Sequence, residues 1–130
     1  MPYNIESATL GAVSLALDAA SLRHQAISSN IANAGTPGYR PVAVSFEEHL
    51  GALRAALSSR GTVDASLLAA SSARVEREPE KVGAAEEGSR VAVDEQVAQL
   101  SQNAVHYQAL LRALNKQYSI LSIAINEGKR

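Results

Sequence analysis

Residues 93–125 read VDEQVAQLSQNAVHYQALLRALNKQYSILSIAI, and the spacing of their apolar members decides the fold. Val93, Val97, Leu100, Ala104, Tyr107, Leu111, Leu114, Tyr118, Leu121 and Ile125 follow one another in strictly alternating steps of four and three. Such alternation keeps one stripe of an α-helix turned toward a partner helix, and here it runs for more than four heptads. Asp94 is placed to cap the start with Glu95 in the first turn, and Gly128, Lys129 and Arg130 suit the negative end of the helix dipole. Leu110, Ile120 and Ile123 lie beside the stripe, so its apolar surface is wider than a two-helix contact needs. That excess implies more than one partner helix.

A second stripe lies at the other end of the chain. Leu10, Val13, Leu17, Ala20, Ile27, Ile31 and Ala34 show the same three-four spacing, interrupted by His24. They predict a helix from about Ser7 to Ala34, with Asn4 and Ser7 as alternative caps and a length of about 42 Å at 1.5 Å per residue. The fold class is therefore all-α: long N- and C-terminal helices pairing as an antiparallel or coiled-coil-like hairpin, with a short helix and a flexible middle segment.

The first helix has to stop within Asn33-Ala34-Gly35-Thr36-Pro37-Gly38-Tyr39. Gly35 is expected to supply the left-handed conformation common after a helix end, and Pro37 pushes Thr36 out of the helical region. Pro37-Gly38 is a turn pair, and Arg40-Pro41 keeps the exit extended. Ser45-Phe46-Glu47-Glu48 reads as a capping box for a short helix faced by Phe46, Leu50, Leu53 and Leu57, ending near Gly61. Leu67, Leu68 and Val75 hint at a brief amphipathic helix, and a mixed-charge run from Arg74 to Glu87 is broken by Pro79 and Gly83. No aromatic residue falls between Phe46 and Tyr107, and aromatic side chains dominate core burial. The chain divides into 1–40, helix and turn; 41–60, short helix; 61–90, flexible linker; and 91–130, the C-terminal helix.

Composition narrows the function. Twelve Lys and Arg against thirteen Asp and Glu leave a formal charge of −1, without the basic footprint of a nucleic-acid binder. The chain has no Cys, which excludes disulfides, thiolate metal sites and Cys nucleophiles together. No apolar run reaches the ~18 residues needed to span a bilayer. MPYNIESATL lacks the cationic start and apolar core of a secretory signal, so the chain is expected to stay in the cytosol or to leave by a route without a cleavable signal. His24, His49 and His106 have no second ligand at helical metal-binding spacing. Glu47-Glu48 and Glu86-Glu87 are adjacent pairs, which on a helix point about 100° apart, more in keeping with solvated faces than with acid–base catalysis. No phosphate loop or nucleophile elbow occurs. An enzyme is not expected, nor a cofactor, a metal or a small-molecule substrate.

The thirteen residues Ile27-Ser-Ser-Asn-Ile-Ala-Asn-Ala-Gly-Thr-Pro-Gly-Tyr39 carry a specific pattern, S-x-N-I-A-N-x-x-T-P-G-Y at the end of a long helix. It resembles the N-terminal motif shared by flagellar rod, hook and hook-associated proteins. The ending, Val105-His-Tyr-Gln-Ala-Leu-Leu111 and then Tyr118-Ser-Ile-Leu-Ser-Ile-Ala-Ile-Asn-Glu-Gly-Lys129, is similar to the flagellar basal-body rod proteins of the proximal rod type. The short length also fits that type, since distal rod and hook subunits carry large inserted β domains. The resemblance covers roughly residues 8–50 and 90–129. It departs at Gly35, where an acidic residue or Asn is common, and at Arg90-Val-Ala-Val-Asp94, a loose form of the family's V-D-V-D entry to the last helix.

The resemblance implies a structural subunit of the proximal rod, assembling with itself and other flagellar rod proteins and required for motility. It also implies contact with a basal-body ring/rod adaptor protein, passage through the flagellar type III export apparatus without cleavage, and residence in the periplasmic rod of the basal body. The residues assigned to the assembly seam are Leu10, Val13, Leu17, Ile27, Ile31, Val97, Leu100, Tyr107, Leu111, Leu114, Tyr118, Leu121 and Ile125. The turn is assigned to Asn30, Asn33, Gly35, Thr36, Pro37, Gly38 and Tyr39. The alternatives are the other small proximal rod subunit, against which the C-terminal tail argues, and a cytosolic helical adaptor or export chaperone, for which the turn motif has no purpose.

Overall fold

The computed structural model describes residues 2–46, 50–51, 54–55, 58–59, 66, 70–71, 74–77 and 91–128. Two long helices, α1 (Pro2–Ala32) and α2 (Val93–Glu127), pack against each other. Their polarity follows from two contacts: Asn30 of α1 bonds Gln96 of α2, and Asn103 of α2 bonds Ala20 of α1. Moving up α1 means moving down α2, so the hairpin is antiparallel, and the expected architecture is the observed one. Beside it, β1 (Val42–Ser45) pairs antiparallel with β2 (Arg74–Arg77), with Val44 opposite Val75.

Several local expectations are corrected. α1 begins at Pro2, ahead of Asn4 and Ser7, so both lie inside the helix and neither caps it. Proline fits the first turn because an N–H there has no intrahelical acceptor. α2 starts after Ala92 without a side-chain cap, and Asp94 sits in the first turn beside Glu95, where both carboxylates still favour the helix N-terminus. β2 falls inside the segment read as a linker, and it takes Val75, expected on a brief amphipathic helix, into a strand opposite Val44. Its alternation of charged residues with a single valine suits a two-stranded ribbon but has no helical or core signature. Residues 50–51, 54–55 and 58–59 are helical, and the Leu50 N–H bonds the Phe46 carbonyl at 3.0 Å. The capping pair Glu47-Glu48, Leu53, Leu57, Gly61, Leu67 and Leu68 lie outside the described residues.

The core sits at the end of the hairpin nearest the ribbon. Ala19, Ala20, Ala26 and Ile27 of α1 are buried with Val44, Phe46 and Val91. Alanines at this crossing let the helix backbones approach, which is why the Asn103 amide can reach the Ala20 carbonyl at 2.8 Å. Its other atom fares worse: Asn103 Oδ1 is buried without a hydrogen-bond partner. An unsatisfied buried acceptor costs about 1–3 kcal/mol. An open groove of about 570 Å³ runs alongside, lined by Ala16, Ala19, Phe46, Leu50 and Leu110, and leaves room for a larger side chain. Asn103→Leu is therefore expected to raise the stability of the hairpin by about 1 kcal/mol in urea unfolding. A loss of similar size would mean that the Asn103–Ala20 bond outweighs the stranded oxygen.

The exit from α1 uses a different glycine from the one the sequence suggested. Only Gly38 among the described residues has positive φ, at 73°, and Gly35 does not. The helix ends by tightening: the Asn33 N–H bonds the Ser29 carbonyl at 3.0 Å, and the Ala34 N–H bonds the Ile31 carbonyl at 3.3 Å. The Tyr39 N–H then bonds the Thr36 carbonyl at 3.2 Å, closing a turn with Pro37 and Gly38 as its central residues. Positive φ at the second central position is the type II geometry, which wants glycine there. Gly38→Val is thus expected to lower stability by about 1–2 kcal/mol. Gly35→Val, with nothing within 4 Å of an added Cβ, should fall within about 0.5 kcal/mol of the parent. Thermal melts of the two variants test this, and a larger loss at Gly35 would reverse the assignment.

Candidate assembly surface

Asn30 organises the junction between helix, turn and ribbon. It is only 2% exposed. Its Nδ2 donates to the Val42 carbonyl at 2.9 Å and to Gln96 Oε1 at 3.0 Å. Its Oδ1 accepts from the Val42 N–H at 2.9 Å and from the Tyr39 hydroxyl at 3.0 Å. Two donors and two acceptor positions are all that a side-chain amide has, so Asn30 is fully used. Toward Val42 it stands in for a neighbouring strand, meeting both backbone groups of one residue. Ser29 Oγ lies 3.2 Å from the Tyr39 hydroxyl. The single Tyr39 proton goes to Asn30, so Ser29 is the donor in that contact. Asn33 Nδ2 donates to the Ser29 carbonyl at 2.8 Å, and Thr36 Oγ1 donates to Asn33 Oδ1 at 3.4 Å. Asn30, Asn33, Thr36 and Tyr39 are thus brought together as one hydrogen-bonded clasp, with Pro37 and Gly38 forming its turn and Gly35 exposed on its rim.

The seam residues divide. On α1, Ile27 is buried, Leu10, Val13, Leu17 and Ile31 are half-buried, and His24 faces solvent. On α2, Leu100, Leu114 and Leu121 are half-buried, and with them Leu110 and Gln117; Gln96 and Asn103 are fully buried. The hairpin therefore closes on the column Gln96, Asn103, Leu110 and Gln117, not on Val97, Ala104, Leu111 and Tyr118. Both columns flank the shared one at Leu100, Tyr107, Leu114 and Leu121, so a three-four pattern fits either side. Gln96 is drawn inward by Asn30 and Asn103 by the Ala20 carbonyl, and these two bonds set the rotation of α2. The other flank stays outside: Val97 is 48% exposed, Leu111 37%, Tyr118 55% and Ile125 52%. Tyr107 lies at the edge, and Ile120 and Ile123 widen the open apolar surface toward the C-terminus.

The family model for flagella basal body rod proteins matches residues 13–40. The flagellar basal body rod protein FlgB of Bacillus subtilis (strain 168) is 30% identical over 127 residues, covering 95% of this chain and 97% of that protein. The chain belongs to the flagellar basal-body rod protein family.

The rod-family match at 13–40 takes in the second half of α1 and the clasp through Tyr39, while the clasp's other anchors, Val42 and Gln96, lie beyond it. Gln96 and Asn103 were not among the residues singled out from the sequence. The signal was there: two buried-type polar residues one heptad apart on a helix whose apolar stripe runs beside them. His24 and His106 are exposed, and no group of three or more His, Asp or Glu capable of holding a metal occurs among the described residues. His49, Glu47-Glu48 and Glu86-Glu87 lie outside them. No described helix is long and apolar enough to cross a membrane.

Proposed function

We propose that this chain is a structural, non-enzymatic subunit of the proximal rod of the bacterial flagellar basal body, of the FlgB kind. The full-length similarity to a FlgB protein carries the reading. It is supported by an α-helical hairpin that leaves an apolar column uncovered along most of α2, as a subunit working through helix packing requires. In this reading Val97, Leu111, Tyr118 and Ile125 of α2, together with the rim of the seam at Leu10, Val13, Leu17 and Ile31 of α1, meet helices of neighbouring rod proteins. The Asn30 clasp fixes the angle at which the chain leaves α1 and so holds the ribbon against the hairpin. Its partners are copies of itself, other axial proteins and the basal-body adaptor, and it reaches the rod through the flagellar export apparatus without cleavage.

Purified basal bodies from the parent organism and from a strain lacking this chain test the reading. The intact chain should be found in the parent's basal bodies, and the deletion strain should be non-motile and build no rod. Rods of normal length in the deletion strain would refute it.

A further inference from the structure

α2 has two faces that suit α1, and it turns the less apolar one inward. The inward column, Gln96, Asn103, Leu110 and Gln117, is followed one residue later by Val97, Ala104, Leu111 and Tyr118, the column left outside. Successive residues of a helix point about 100° apart, so a roll of that size about the axis of α2 exchanges the two. Gln96 and Asn103 are 8% and 5% exposed, whereas Val97 and Tyr118 are 48% and 55% exposed. The same seating strands Asn103 Oδ1 in the interior. We propose that α2 is a two-position helix. The amides of Gln96 and Asn103 latch it with the apolar column outward, and release of that latch lets it roll and cover the column with α1 of the same chain.

The stripe on α1 receives either column. In the rolled position Ala104 replaces Asn103 beside Ala20, so small residues still meet where the two backbones come close. Leu111 then comes toward Val13, each seven residues from that level, and Val97 toward Ile27 and Ile31. Leu10, Val13 and Leu17 are only half-buried and have surface left to cover. The flank that follows the column, Ser101, Gln108, Asn115 and Ser122, is uncharged, and Asp94 at its head lies past the level of Asn30. Leu100, Leu114 and Leu121 serve both positions. The two amides reach water on rolling, which ends the isolation of Asn103 Oδ1. Asn30 gives up Gln96 but keeps Val42 and Tyr39. α2 also has a swivel: Ala92, between buried Val91 and the first turn, is extended at φ −73° and ψ 93° and makes no side-chain cap. Because Gln96 is held by Asn30, the latch is coupled to the clasp, and a clasp pulled open frees α2 to turn its column away. The roll is a property of the free chain; that the column it hides is the assembly surface rests on the proposed function.

The chain has no cysteine, so single cysteines in the purified full-length chain report the roll through maleimide labelling. Val97→Cys should react quickly and half-buried Leu110→Cys slowly. Adding Gln96→Lys with Asn103→Lys sets two charges where α1 leaves no water, and α2 should turn them out. The two rates should then exchange, Val97→Cys slowing and Leu110→Cys quickening by about tenfold or more, with helicity by circular dichroism unchanged. Gln96→Ala with Asn103→Ala, which brings no charge, should move both rates in the same directions by a smaller factor. Asn103→Leu alone refills the inner column and should leave both rates as they were. The uncharged pair decides if the lysines unfold the hairpin: rates that stay put in it, or that rise together, overturn the proposal. A folded lysine pair with unchanged rates overturns it as well. None of these results bears on the rod assignment, which purified basal bodies decide separately.

Discussion

Replacing Asn30 by aspartate should cost the free chain about 3 kcal/mol or more at neutral pH, despite leaving its shape unchanged. The carboxylate keeps the two acceptor contacts, from the Val42 N–H and the Tyr39 hydroxyl. It loses both donor contacts, and now sets oxygen against the Val42 carbonyl and Gln96 Oε1. Gln96 can turn its amide to donate; the Val42 carbonyl cannot. A carboxylate buried to this degree is disfavoured relative to its protonated form, so its folded-state pKa rises above the unfolded value. The variant is then hurt least below the unfolded carboxyl range, where a protonated oxygen donates to Val42, and the deficit grows as pH rises through the folded pKa. Urea titrations of parent and Asn30→Asp at acidic and neutral pH read both the size and the sign. A deficit under about 1 kcal/mol at neutral pH, or one independent of pH, would show that the clasp is not what ties α1 to the ribbon and to α2.

Tyr118→Lys combined with Ile125→Lys should do the opposite, sparing the fold and abolishing rod assembly. Both side chains are more than half exposed, so each substitution should change stability by no more than about 0.5 kcal/mol. Lysine near the end of α2 is also compatible with the helix dipole. An ammonium group in a dry helix–helix contact, by contrast, is left without a partner and is strongly unfavourable. Cells carrying the double variant should accumulate folded protein, form no rod and fail to swim. Normal motility would remove the outer column of α2 from the assembly surface.

The pairing of the helices was legible because periodicity is a property of a helix alone: the alternation at Val97 to Ile125 could not be missed. Which flank of the stripe the hairpin would choose was not legible, because the choice rests on two hydrogen bonds between residues 66 and 83 positions apart. Those bonds turn Gln96 and Asn103 inward and leave Val97 and Tyr118 in solvent, against the hydrophobic pattern. The clasp was half legible. Its composition around Asn30 to Tyr39 marked it as special, but the role of Asn30 as a surrogate strand needs Val42, whose contribution is backbone and leaves no trace in residue type. Gly35 and Gly38 were both credible helix terminators; the bonding of Asn33 and Ala34 closes the helix without left-handed backbone, and the Pro37 turn then requires it at Gly38. The short strand at Arg74–Arg77 was hidden by its charges.

The hairpin withholds the column at Val97, Leu111 and Tyr118 from its own core, and in the proposed function that column is what meets other helices in the rod. Single cysteines at Val97 and Tyr118, in a chain that otherwise has none, report this directly through maleimide labelling. Labelled under denaturant-free conditions, with a dilute chain held monomeric, both should react at rates near those of an exposed model thiol. In isolated basal bodies both should be protected, while a cysteine at exposed Ser14 on the outer side of α1 serves as the comparison within the free hairpin. Equal reactivity of Val97→Cys and Tyr118→Cys in the free chain and in the assembled rod would contradict the claim.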